Sequence, residues 1–176
     1  TIYKVDMVFD GLSPLRMNRF SPDALKGTSI KLSRPQLIQD AHARSFQDEQ
    51  GYYVPGLNVK TAICYGGKRV KVGRLFASAS LRAIFHVEDK VRLAAGLTPV
   101  IEEGYVQMPP GSGKRVVKFW VCFPRWTISF ACSVLDDRFP SEAIRNSAKE
   151  AGLYCGLLDG RPEHGRFSVE DFRVVE

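Results

Sequence analysis

Between residues 156 and 166 the chain reads Gly156-Leu157-Leu158-Asp159-Gly160-Arg161-Pro162-Glu163-His164-Gly165-Arg166. Glycines at 156, 160 and 165 let a backbone come close to a ligand, and two arginines offer bidentate forks suited to phosphate. The other chemistry-bearing residues are scattered. His42, His86 and His164 are isolated, with none of the i, i+4 spacing of a metal-binding helix. No Ser or Cys sits in a nucleophile-elbow setting. The pairs Glu102-Glu103 and Asp136-Asp137 are adjacent, so their side chains diverge on any regular element, and they do not indicate metal-ion catalysis. Gly111-Ser112-Gly113-Lys114 invites a phosphate-loop reading, but Met108 and Arg115 stand where that motif needs Gly and Ser or Thr. It reads instead as a flexible, positively charged hairpin tip. Four cysteines (Cys64, Cys122, Cys132, Cys155) form no C-x-x-C pair, which argues against zinc and thioredoxin-like chemistry. Cys122 and Cys132 lie in apolar runs as small hydrophobes, and reduced thiols suit a cytoplasmic setting. No metal and no cofactor are expected, and the chain is read as non-catalytic.

Charge points elsewhere. The net charge is +6, and it is unevenly placed. Residues 1–57 carry seven Lys/Arg against six Asp/Glu, residues 58–125 twelve against four, and residues 126–176 six against nine. A middle segment holding the positive charge presents a patch, and a patch attracts polyanions. A membrane surface fits less well, because the charge lies on strand-like segments rather than on an amphipathic helix. No apolar run approaches the roughly 20 residues that span a bilayer. The N-terminus lacks the basic and apolar regions of a signal peptide.

The elements that must position these residues follow from periodicity. Tyr3, Val5, Met7 and Phe9 alternate with Lys4, Asp6 and Val8, which predicts a strand with one buried face, ended by Gly11 and Pro14. Residues 15–32 read as a loop with at most a short helix. Ser33, Pro35 and Gln36 form a capping box opening a helix over 34–49, stopped by Gly51. Tyr52–Val54, Arg69–Val72 and Tyr105–Met108 look like strands, and Ala77–Phe85 fits helix or strand. Val116–Phe123 and Trp126–Leu135 are strong strands, with a bend at Pro124-Arg125. Pro140-Ser141-Glu142 opens a helix over 140–152, for which Gly152 reads as a left-handed cap. Phe167, Val169, Phe172 and Val174 make a last strand, irregular around Glu170-Asp171. The order predicts a single α+β domain over 1–176. It is a ferredoxin-like or RRM-like antiparallel sheet with helices on one face, irregular insertions, and a basic insertion around 52–125.

Three segments carry a family resemblance. They are Gly11-Leu12-Ser13-Pro14-Leu15 after the first strand, Tyr53-Val54-Pro55-Gly56-Leu57-Asn58-Val59-Lys60 after a helix, and the Gly156–Phe167 loop before the last strand. Together they resemble the RAMP superfamily, the RRM-like, crRNA-binding backbone subunits of CRISPR effector complexes, which have small relatives in phages and mobile elements. The resemblance implies an RRM-like core and binding of single-stranded nucleic acid by its backbone. It also implies head-to-tail self-association or other subunits of a ribonucleoprotein complex. It places the glycine-rich loop (Gly156, Gly160, Arg161, His164, Gly165, Arg166) and Arg16, Asn18 and Arg19 near the strand. This chain is shorter than typical effector subunits, and Leu158 stands where the loop often has another glycine.

The function expected is therefore binding of single-stranded RNA or DNA by its backbone. Lys60, Lys68, Arg69, Lys71, Arg74, Lys114, Arg115 and Lys118 from the basic middle would join the residues just named, with aromatics such as Tyr65, Phe76, Phe119 and Trp120 interleaved. Two other readings compete. One is a metal-independent endoribonuclease of the same superfamily, with His164 or His86 as acid/base and Lys68 or Arg69 steadying the phosphorane. The other is a protein-interaction or inhibitor module of phage origin.

Overall fold

The computed structural model describes residues 2–20 and 32–175. Its centre is a four-stranded sheet of β1 (Tyr3–Gly11), β7 (Phe85–Val87), β11 (Thr127–Val134) and β12 (Phe167–Val175), in the order β12-β1-β11-β7. Every pairing in it is antiparallel. Helix α2 (Gly56–Gly66) connects β1 to β7, and α4 (Ser141–Tyr154) connects β11 to β12. Each connection joins two parallel strands separated by a third, so two split βαβ units interlock. This is the ferredoxin-like α+β fold class that the sequence predicted, although the helix packed in the first unit is α2 rather than the one expected over 34–49.

The alternation in β1 does what its pattern requires. Val5, Met7 and Phe9 are buried beside Ile128, Phe130, Cys132 and Val134 of β11. Phe9 stacks on Phe167 at 4.2 Å between ring centroids and meets Phe130 edge-on at 5.0 Å. Helices α2 and α4 cover this face. The irregularity expected near Glu170 is a bulge, because Val8 pairs with Asp171 while Phe9 pairs with Val169.

Two glycines set the helix packing. A Cβ on Gly66 would collide with the backbone of Ser147 and Ala151 of α4, and one on Gly152 would collide with the carbonyl of Phe167. Gly152 is thus a close-approach residue inside a helix that continues to Tyr154, rather than the left-handed cap its position suggested.

The remaining elements pack around this unit. A second sheet joins β2 (Leu15–Met17), β9 (Val100–Gln107) and β10 (Arg115–Phe123), in the order β2-β10-β9. The chain changes sheets between β10 and β11, at the Pro124-Arg125 bend. Helix α1 (Arg34–Ala43) begins at the expected capping box: the Gln36 backbone N–H donates to Ser33 Oγ and the Ser33 N–H donates to Gln36 Oε1. It ends six residues before the predicted Glu49. Gly51, at φ 114°, turns the chain so that β3 (Gln47–Asp48) pairs back on β4 (Gly51–Pro55). Strand β8 (Lys90–Arg92) completes that small sheet.

The strand expected at Arg69–Val72 begins as a 3-10 turn, Gly67–Arg69. Only Lys71–Val72 (β5) pairs, with Leu75–Phe76 (β6). The ambiguous 77–85 segment is helix α3 (Ala77–Ile84). Part of the loop expected over 15–32 forms β2, and residues 21–31 lie outside the described residues. Among the described residues, no helix is long and apolar enough to cross a membrane.

Candidate nucleic-acid interface

The three segments that carried the family resemblance meet in space. The Leu12 backbone N–H donates to the carbonyl of Arg166 at 2.7 Å, and Gly165 N–H donates to Pro14 at 2.8 Å. Asp159 N–H donates to the carbonyl of Arg16 at 3.2 Å, and the Arg166 N–H donates to Ser13 Oγ at 3.0 Å. From the third segment, Asn58 on α2 accepts the Leu158 N–H on its Oδ1 at 3.1 Å. The 156–166 loop is therefore stitched to the end of β1 on one side and to α2 on the other.

The loop's backbone needs its glycines. Gly165 lies at φ 74°, and a side chain there would run into the backbone of Leu157. Leu158 adopts φ 60° although it is not glycine, with its side chain buried. A bulky residue held in this left-handed region costs about 1–3 kcal/mol, which the surrounding contacts must hold in place. The backbone at Leu158 thus favours the glycine that the sequence resemblance led one to expect there.

Beside the loop run two adjoining clefts that share Tyr65. The first, about 300 Å³, is lined by Leu57, Lys60, Cys64, Tyr65, Lys68 and Arg82. The second, about 500 Å³, is lined by Tyr65, Tyr154, Leu158, Asp159, Gly160 and Arg161. Three cations in a row along the chain rest on exposed aromatic rings. Lys68 Nζ lies 4.9 Å from the Tyr65 ring, Arg69 Cζ 3.9 Å from Tyr154, and Lys71 Nζ 5.9 Å from Phe76. Tyr65, Phe76 and Tyr154 are 42%, 49% and 49% exposed, so each ring still presents surface to solvent. Among the described residues, Lys60, Lys68, Arg69, Lys71, Arg82 and Arg161 form no ion pair. Their charge is available to a ligand.

A second cluster lies behind Asp159. Arg16 donates to Glu102, its Nε at 2.9 Å, and its guanidinium lies 4.5 Å from the Trp120 ring. Hydrogen bonding raises the Arg16 pKa and holds the Glu102 carboxyl below its ordinary value. Lys118 sits 5.4 Å from the same ring, and burial pushes its ammonium pKa down. Trp120 Nε1 donates to Asp159 Oδ2 at 2.8 Å. Two buried polar atoms lack a hydrogen-bond partner among the described residues: Asn18 Oδ1, just past β2, and His164 Nδ1, against Gly160.

The sequence-selected residues thus divide. Lys60, Lys68, Arg69, Gly160 and Arg161 gather on the joined clefts, with Lys71 and Arg74 on the adjacent β5–β6 hairpin. Arg16, Lys118 and His164 flank Asp159, but Arg16 is already paired with Glu102. Arg166 turns back on its own loop, its Nε donating to Pro162 at 2.8 Å. Arg19 is tied by its backbone to Arg44. Lys114 and Arg115 occupy the β9–β10 tip, where strand alternation sends Arg115 to the face opposite Lys118. Phe119 and Trp120 are each only 4% exposed, so they pack rather than stack on a ligand. Cys122 and Cys132 are buried free thiols pushed up to about 12 by burial.

His86 pairs with Ser133 on the outer face of the main sheet, whereas Lys68 and Arg69 follow α2 on the inner face. The sheet separates the two groups. On that outer face Lys4, Asp6, Val8 and Asp10 of β1 lie beside Thr127, Ser129, Ala131 and Ser133 of β11, and none of these eight is aromatic. Two contributors escaped the sequence reading. Tyr154 falls beyond the predicted helix end at Gly152, and Arg82 lies in the segment whose periodicity fitted either element.

No family model matches the chain, and no curated protein matches it in sequence. Among solved structures, the crystal structure of Cmr6 from Pyrococcus furiosus is similar, with a TM-score of 0.56 over 96% of this chain and 99% of that one, at 12% identity. At this identity the likeness is one of fold.

Proposed function

We propose that the protein binds single-stranded nucleic acid along the joined clefts between α2, the C-terminal end of α4 and the glycine loop, without catalysing a reaction. The observation that carries this reading is the run of cations laid on exposed rings: Lys68 on Tyr65, Arg69 on Tyr154 and Lys71 on Phe76. Unpaired ammonium and guanidinium groups neutralise phosphates, while the free ring surfaces stack unpaired bases. A duplex hides its bases, so it gains only the electrostatic part. The RAMP-like fold supports the same reading, together with assembly head-to-tail or with other subunits of a CRISPR-type ribonucleoprotein complex.

Fluorescence anisotropy with single-stranded RNA, single-stranded DNA and a duplex of equal length tests it. Salt-sensitive binding that favours a single strand is expected. Absence of binding at low salt, or equal affinity for the duplex, overturns the proposal.

A further inference from the structure

We infer that the larger cleft is a guanine-selective base pocket on the path of the strand, with Asp159 as the residue that reads the base; this rests on the strand-binding reading above. Asp159 is the one carboxylate lining either cleft among the described residues. In a groove that attracts phosphate, a negative charge opposes the ligand, so a purely backbone-directed surface gains nothing from it. Here it is also held in a fixed orientation. Its N–H donates to the Arg16 carbonyl, and its Oδ2 accepts from the indole of the buried Trp120. Fixing the carboxylate before the ligand arrives removes the cost of ordering it on binding.

A carboxylate offers acceptors only, with about four lone-pair sites, and the Trp120 bond uses one of them. The group it selects must therefore present hydrogen-bond donors. Guanine carries an imino N–H and an amino N–H side by side on its Watson–Crick edge. Adenine and cytosine place a lone-pair nitrogen beside their amino group, and uracil or thymine has a single N–H between two carbonyls. Each of these directs an acceptor at the carboxylate. Tyr65 and Tyr154 supply ring faces for the inserted base, and Arg161 stands beside Asp159 for the flanking phosphate. The rest of the strand is bound without regard to sequence.

The test uses nine-residue RNA and DNA strands of uridine or thymidine with one central substitution, read by anisotropy. A central guanine should tighten binding roughly tenfold over adenine or cytosine, as a bidentate contact does. Inosine, which keeps the imino N–H and lacks the amino group, should fall between them. Asp159→Asn keeps an acceptor for Trp120 but removes the charge. The variant should lose the guanine advantage and bind plain oligouridine more tightly than wild type. An unchanged far-UV circular dichroism spectrum and urea midpoint check that the fold survives. Equal binding of guanine and adenine strands by the wild-type protein overturns the assignment, as does an Asn variant that retains the preference. If no strand binds at all, the broader reading fails; if every strand binds alike, only the guanine assignment fails.

Discussion

Salt dependence gives the strand-binding account a number. Six cations with no ion pair among the described residues are counted here: Lys60, Lys68, Arg82 and Arg161 line the joined clefts, Arg69 lies over Tyr154 at their edge, and Lys71 stands on the adjacent β5–β6 hairpin. Each phosphate neutralised on a single strand contributes about −0.7 to the slope of log affinity against log salt, so six contacts give roughly −4. Between 50 and 200 mM salt, affinity should then fall roughly three-hundredfold. Replacing Lys60, Lys68 and Arg161 together by alanine removes half of these contacts and should flatten the slope to roughly −2, a fall of only about twentyfold over the same range. The assay is anisotropy of a labelled oligonucleotide at five or more salt concentrations. A matched control removes Lys114 and Arg115 at the distant hairpin tip, and its slope should stay with the wild type. A triple variant that keeps the full slope, or a hairpin control that loses as much, refutes strand binding along the clefts.

Tyr65→Ala and Tyr154→Ala should each weaken binding by about 1–3 kcal/mol, the worth of one stacked base, while Tyr→Phe at either position keeps most of it; oligonucleotide titrations read the difference. Gly66→Ala forces a methyl group against the α4 backbone at Ser147 and Ala151, and should lower stability by about 1–3 kcal/mol in urea denaturation. Glu102 is held below its ordinary pKa chiefly by the Arg16 hydrogen bond, so it contributes stability that is present above the ordinary carboxyl range and lost as pH falls through it. Glu102→Gln should therefore flatten the acid side of the stability profile below about pH 4.5, measured by thermal unfolding across pH.

How much of this was legible in the sequence depended on whether the signal was local. The alternation of β1 and the capping box of α1 are set by near neighbours and were readable, as was the break in the alternation of β12 around Glu170 that marks its bulge against β1. Helix α2 was harder to see. Val59, Ala62, Ile63 and Gly66 follow a helical period, but Pro55-Gly56 at its start and Gly66-Gly67 at its end look like turn punctuation. Those glycines serve tertiary contacts instead: Gly56 against the backbone of Glu88, and Gly66 against α4. The same confusion shortened α4 at Gly152 and hid Tyr154. The site shows a similar split. Net charge located Lys60, Lys68 and Arg69, but only the fold reveals that Arg16 is neutralised by Glu102 and that Trp120 is buried. Pairings across 86 and 39 residues leave no mark in a window of sequence.

The central claim is that a single strand lies over Tyr65 and Tyr154, beside the glycine loop, on the helix side of the sheet. Photo-cross-linking with 4-thiouridine oligonucleotides, followed by peptide mapping, addresses that placement directly. Cross-links are expected on peptides containing Tyr65, Phe76 and Tyr154. Cross-links confined to the outward face of β1 and β11, around Val8 and Ala131, or to the Lys114 hairpin tip would contradict the account.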